Sequence, residues 1–323
     1  TPLDPAPRSY PDAVTLWGRK PPPETAPEAQ SAASIETWLL GPALAQDAFL
    51  DAFHAFVWRL AAAPFGVDRA SIHVGTLHPE LYGYAWNWSR VDGLADEVRV
   101  APAVLATDAY RRNPLYQVIE AGVRVRAVPA EAAADAGLMA DLAAEGFTDY
   151  VALPLNAVGA QHNAATLATR RPGGFAPDTL TTLERLLAIF ALHVERHIQQ
   201  RIAANALAAY LGPAAGEEVL AGSIRRGDGR AMQAVVWCSD LRGFTELSAR
   251  LSGPETTAVL NAYFQRLVGA VAAAGGQVLK FMGDGLLAVF PEESAAAALV
   301  AARAGLDAVA RLGDDPAALP GVE

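Results

Sequence analysis

The sequence predicts an α+β protein built in two parts. An antiparallel sheet with helices comes first, and a strand, two helices and a β-hairpin follow. Three observations carry this prediction. In the first part, apolar residues at helical spacing lead into paired β-rich runs. The 323 residues, 52% hydrophobic and 19% charged, suffice for two cores. Near the end, the run KFMGDGLLAVF (280–290) breaks an apolar stretch with Gly-Asp-Gly.

The first thirty residues hold eight of the 22 prolines, among them Pro21, Pro22 and Pro23, a density that excludes a regular helix or a central strand. Residues 1–33 therefore read as a disordered lead-in. From about Ser34 the pattern changes. LAQDAFLDAFHAFVWRLAA (44–62) has helical spacing, and RASIHVGTL (69–77) and LYGYAWNW (81–88) read as strands. DYVALPL (149–155) and HNAATLATR (162–170) read as two more, joined through the small residues AVGAQ. A long helix follows RRPGGF, opening at Asp178 as its N-cap. It carries Leu183, Leu187, Phe190, Val194, Ile198 and Ile202 on one seam. A seam of that length predicts pairing with a second copy of the chain, a homodimer. The order of elements over residues 34–200 resembles a GAF-type sensor domain, which implies a small-molecule ligand of unknown identity.

His193 and His197 stand at i and i+4, but Val194 occupies the place where the metalloprotease pattern needs glutamate. They read as solvated helix-face residues. His73, His78 and His162 fall on strands or loops, and a haem or metal ligand among them stays open. Cys238 is the only cysteine, so there is no internal disulfide, no cysteine-rich zinc site, and no sensor-domain thiol for a covalent tetrapyrrole. The net charge of −10, with Arg170, Arg171 and Arg225, Arg226 as isolated basic pairs, argues against nucleic-acid binding. No run reaches the roughly 18 apolar residues of a spanning helix, and no signal peptide opens the chain. The expected location is cytoplasmic; because the sequence starts at Thr1, a membrane anchor upstream stays open.

Residues 201–231 predict a connector: a helix broken at Gly212-Pro213, a short second helix and a Gly-rich turn. The second part, residues 232–323, begins with MQAVVWCSD, a strand ending at Asp240. LRGFTELSARLSG supplies a glycine turn and a helix capped by Thr245, and PETTAVLNAYFQRLVGAVAAAGG a second helix between proline and Gly-Gly. QVLKFM, GDG and LLAVF form the hairpin, and ESAAAALVAARAGLDAVARLG a last helix.

Three readings compete for the hairpin. Asp-Gly is a preferred pair in tight turns. GDGLLA also fits G-x-G-x-x-A, but a dinucleotide fingerprint must open a helix, and LLAVF is a strand. In the third reading Asp284 pairs with Asp240 across neighbouring strands, and two adjacent carboxylates call for a divalent cation and phosphate chemistry.

CSDLRGFTELS followed by VLKFMGDGLLAVF resembles the catalytic domain of class III adenylate and guanylate cyclases over residues 232–312, the first half of a ferredoxin-like core. The resemblance implies two Mg²⁺ ions, with Mn²⁺ an open alternative, held by Asp240, Asp284 and the carbonyl of Leu241. It also implies triphosphate contacts from the amides of Gly243, Phe244 and Thr245, and recognition of adenine by Lys280, where guanylate cyclases carry glutamate. The implied reaction converts ATP to cyclic AMP and pyrophosphate at a homodimer interface, with the sensor as regulator. The family's ribose- and phosphate-steadying asparagine and arginine lie beyond Glu323, so residues 1–323 alone are expected to be inactive. A non-catalytic ligand-binding signalling module is the alternative from another class. A diguanylate cyclase would show a GGDEF signature, which this hairpin lacks.

Overall fold

Burial on both faces of the strands fixes the architecture of the first part. The structure is a computed structural model, and it describes residues 8, 10–25, 27–78, 81–132, 137–158, 161–223, 225, 231 and 233–314. The chain separates into two compact units, Thr1–Ala203 and Ala204–Glu323, and each mixes helices with antiparallel sheet. The first unit runs β1 (Val14–Lys20), α1 (Ala32–Leu40), α2 (Phe49–Ala62), β2 (Arg69–Gly75), β3 (Gly83–Ser89), β4 (Ala95–Val100), α3 (Asp108–Arg112), α4 (Pro114–Ala121), β5 (Val125–Ala127), α5 (Pro129–Ala132), α6 (Leu138–Ala144), β6 (Asp149–Val158) and β7 (Gln161–Thr169). A long helix, α7 (Pro177–Leu211), follows, and the unit boundary falls within it.

The seven strands pair antiparallel in the order β1-β4-β3-β2-β7-β6-β5. Ala70, Ile72 and Val74 of β2, Tyr84, Trp86 and Trp88 of β3, and Val151 and Leu153 of β6 point to one face, which α1, α2 and α7 cover. Tyr150, Ala152, Ala164 and Ala168 point to the other, packed by Leu115 and Val118 of α4 and by Met139 and Leu142 of α6. Both faces are thus buried.

Four expectations change here. The proline-rich lead-in is not wholly disordered: its proline-free part forms β1, an edge strand paired to β4. Asp96, fully buried, accepts hydrogen bonds from Arg19 Nε at 2.6 Å and from the Tyr10 hydroxyl at 2.7 Å, with Arg8 Nη1 at 3.4 Å. Burial works to raise the Asp96 pKa, but these three donors overcome it and hold the carboxyl below its ordinary range. Residues 1–7 and 9 lie outside the described residues.

The seam of α7 is spent inside its own unit. Leu183, Leu187, Phe190, Val194 and Ile198 are buried in the first core, with Ile202 packed against it, so this stripe supplies no free surface for a second copy. Phe190 stacks on Phe56 with centroids 4.2 Å apart. His193 and His197 are buried as well, rather than solvated. His193 Nε2 donates to the Leu39 carbonyl at 2.8 Å, and the His197 ring packs 5.4 Å from Phe49. Finally, α7 begins at Pro177, so Asp178 sits inside its first turn and is not the cap.

The second unit follows the order α8 (Pro213–Leu220), β8 (Ala234–Ser239), α9 (Phe244–Arg250), α10 (Gly253–Ala273), β9 (Gln277–Met282), β10 (Gly285–Pro291) and α11 (Ala295–Ala310). The Gly-rich turn expected at 226–230 lies outside the described residues. Its strand order is β8-β10-β9, with β10 antiparallel to both neighbours. The hairpin's return strand thus lies between the two strands that the helices connect, a split β-α-β as in the first half of a ferredoxin-like core. Leu286, Ala288 and Phe290 turn inward against Tyr263, Leu267 and Val271 of α10 and Ala298 and Ala301 of α11.

Candidate functional site

Strand register decides whether the two aspartates of the second unit meet. Ser239 pairs with Leu286, so the chain leaving β8 at Asp240 runs beside Gly285 and the hairpin turn that holds Asp284. A Cβ built on Gly285 would lie 3.1 Å from the Ser239 carbonyl and 3.6 Å from Asp240 Oδ1. The tight approach is to the Ser239 and Met282 carbonyls, and the Asp240 carboxylate lies in ordinary contact range of this position. Tyr263 of α10 lies within the electrostatic reach of both carboxylates. Burial raises its phenol pKa, the Ser239 hydroxyl opposes this, and the charges of Asp240 and Asp284 both add to it.

The turn itself differs from the sequence reading. Met282 pairs with Gly285, so the two central residues are Gly283 and Asp284, not Asp284 and Gly285. Gly283 has φ +66°, and no described non-glycine residue has positive φ, so the left-handed position falls on Gly283 and leaves Asp284 in ordinary backbone.

The remaining predicted residues take these places. Leu241 packs its side chain against the core, while its carbonyl accepts from the Phe244 amide at 3.2 Å. Gly243, at φ +77°, is the N-cap of α9, and Phe244 and Thr245 are its first two residues. Thr245 therefore does not cap the helix as expected; its carbonyl accepts from the Ser248 hydroxyl. Lys280 pairs with Leu287, which pairs in turn with Cys238, and both Lys280 and Cys238 are exposed. Leu286 faces α10 and α11, so its neighbour Leu287 shares the opposite face of the sheet with these two.

Hard oxygen donors from Asp240, Asp284 and the Leu241 carbonyl fit a magnesium-like cation completed by water and phosphate. Among the described residues no third histidine, cysteine or carboxylate joins them, so a closed all-protein cage is not built here.

The first unit contains a cavity of about 380 Å³ that sequence reasoning missed. It lies over β2, β3 and β4, on the sheet face away from α7, with the 102–119 segment also lining it. His73 and His162 line it, and His73 is partly buried, its Nε2 2.8 Å from the Ser71 hydroxyl. Burial pushes His73 down to about 4, with Arg69 adding to the shift, so the ring is neutral at physiological pH. Of the signals that could have found this site, only the odd-numbered polar residues Arg69, Ser71 and His73 of β2 were visible in the sequence.

No protein-family model matches the chain, and no curated protein matches it. Among solved structures, a bacterial light-regulated adenylyl cyclase aligns at 16% identity with a TM-score of 0.32, over 51% of this chain and 56% of that one. A second structure of a bacterial light-regulated adenylyl cyclase gives 18% and 0.27, over 54% and 59%. The phycoerythrobilin-bound GAF domain of a cyanobacterial phytochrome gives 14% and 0.33, over 52% and 98%. The alignments thus span little more than half the length of either cyclase. Among the described residues, no helix is long and apolar enough to cross a membrane.

Proposed function

We propose that the chain is the sensor and the metal-binding part of an adenylate cyclase, which converts ATP to cyclic AMP and pyrophosphate. The observation that carries this is the register of β8 and β10, which brings Asp240 and Asp284 to one end of the sheet beside Gly285. Divalent cations bound there supply neutralisation of the phosphate under attack and a more acidic 3′-hydroxyl. The chain's own groups do the rest. Asp240, Asp284 and the Leu241 carbonyl hold the cations, the amides of Gly243, Phe244 and Thr245 orient the triphosphate, and the Lys280 ammonium donates to adenine N1. Guanine presents N–H donors at that edge and would need a carboxylate. A facing copy of the chain brings Lys280 to the carboxylates of its partner, which makes the homodimer part of the proposal.

Regulation follows from α7. The guanidinium of Arg201 lies 4.6 Å from the centre of the Tyr84 ring, and Arg201 pairs with Glu97 at 2.7 Å. Tyr84 lies on β3 between Gly83 and Ala85, which line the cavity, so a ligand there is linked to the helix that leads to the second unit through the backbone of this strand. The cavity also favours one second reading, a ligand-binding module without catalysis.

The test uses the full-length protein. Cyclic AMP formation with Mg²⁺ or Mn²⁺ should fall about a hundredfold or more in Asp240→Asn and in Asp284→Asn. Lys280→Glu should suppress it at least about tenfold. Unchanged rates in the aspartate variants would overturn the metal site, and an unchanged rate in Lys280→Glu would overturn the choice of adenine. No activity in the parent, with ligand binding retained, would select the module.

A further inference from the structure

The cavity of the first unit is apolar between two polar ends. Val14, Val98, Val100, Val104 and Ile119 form its chamber, with Tyr10 and Tyr110 also lining it. At the start of β2 stands Arg69, partly buried, on the same strand face as Ser71 and His73. Arg8, Arg19, Arg126 and Arg201 each hold a carboxylate, whereas Arg69 has no ion pair or hydrogen bond among the described residues. A guanidinium with nothing to bind, on the wall of an apolar chamber, is a receptor for a planar anion.

Among the described residues, the opposite end carries tyrosine hydroxyls and no guanidinium. The Tyr110 hydroxyl donates to Glu120 at 3.1 Å and lies 3.0 Å from the Tyr82 hydroxyl. Tyr82 lies just before Gly83, the partner of Gly75, six residues along β2 from Arg69, which is about 20 Å of strand. An acid entering the chamber is therefore drawn to the Arg69 end. A phosphate ester would ask for several cations or amides, and the chamber offers one cation. A cavity of about 380 Å³ is at the small end of ligand sites and suits on the order of 10–15 non-hydrogen atoms. Tyrosine rings on its wall suit a flat, aromatic one.

We propose that this cavity binds a small aromatic carboxylic acid, its ring in the valine-lined chamber and its carboxylate on Arg69. The proposal rests on the reading of the first unit as a sensor. His73, neutral and tied through Ser71 to Thr166 Oγ1 at 2.6 Å from the Ser71 hydroxyl, contributes a fixed dipole to the site.

Calorimetric titration of the whole chain with indole-3-acetate, indole-3-acetamide and indole tests it. The acid should bind at least about tenfold more tightly than the amide. Arg69→Gln should remove that preference and Arg69→Lys keep part of it, with melting curves confirming that each variant folds. Ala85→Leu, which fills the chamber floor, should abolish binding of all three. Equal affinity for acid and amide, or an unchanged preference in Arg69→Gln, overturns the anion assignment and leaves the sensor reading standing. Binding of none of the three overturns the aromatic-acid proposal; binding of cyclic AMP in their place, lost in Ala85→Leu, would then keep the sensor reading, and its failure would end that reading too.

Discussion

Two histidines packed into the first unit give it a built-in response to acid. His73 and His197 are both held down to about 4, mainly by burial, against an ordinary 6.5. Their folded-state values lie below the unfolded ones, so the neutral rings contribute stability in full above about pH 6.5. That contribution is lost as pH falls towards about 4, because the unfolded chain takes up protons that the folded chain refuses. The slope is at most roughly 1.4 kcal/mol per pH unit for each histidine. Urea titrations at about pH 7 and pH 5 should show this loss, and His73→Gln should flatten part of it. A stability unchanged across that range would contradict the burial of both rings. The sequence could not show this burial. Spacing placed His193 and His197 on one helix face, but which face turns inward depends on what packs against it, here Leu39 and Phe49.

Elements were legible where one chemistry repeats and illegible where charges interrupt it. β2, β3, β6 and β7 alternate or carry aromatic runs, and their positions follow from the sequence to within a few residues. β4, with the sequence ADEVRV, does not, because Asp96 and Glu97 are buried in place of apolar residues. Each is neutralised: Asp96 by Arg8 and Arg19, Glu97 by Arg201 and the Trp86 indole N–H at 2.9 Å. For α7, periodicity gave the apolar stripe but not its partner. Phe190→Ala should cost about 3–5 kcal/mol of stability, from the stacked contact with Phe56 and the cavity left behind. Chemical denaturation measures this, and a midpoint that depends on protein concentration would instead return the stripe to a dimer.

At the scale of the molecule, the strand and hairpin that carry Asp240 and Asp284 were legible and the cavity was not. Asp240 and Asp284 sit in short motifs whose local structure, strand to turn and hairpin, follows from nearby residues. The cavity gathers residues from Tyr10 to His162, and only the strand order β1-β4-β3-β2-β7 brings them together. The N-terminal segment closes this arrangement. Asp96→Ala should destabilise the first unit by about 3–5 kcal/mol, since it leaves Arg19 and the Tyr10 hydroxyl without their shared partner, while Arg8 keeps Asp92. Removing residues 1–20 should cost a similar amount by leaving Asp96 buried without either, and thermal melting of both variants checks the pair. A loss of less than about 1 kcal/mol in each would show that the strand is dispensable.

The edge strand β1 has one more consequence, for how the protein behaves in concentrated solution. An open sheet edge invites a strand from another molecule. β1 opposes this with a bulge between Leu16 and Gly18, where Trp17 is the extra residue, half exposed beneath the Arg99 guanidinium. It ends in Arg19 and Lys20, and three prolines without amide hydrogens follow. At the far edge β5 offers only three residues. A seven-stranded sheet bounded in this way has no long flat border on which an aggregate could grow, and the prolines that looked like a sign of disorder act as its guard.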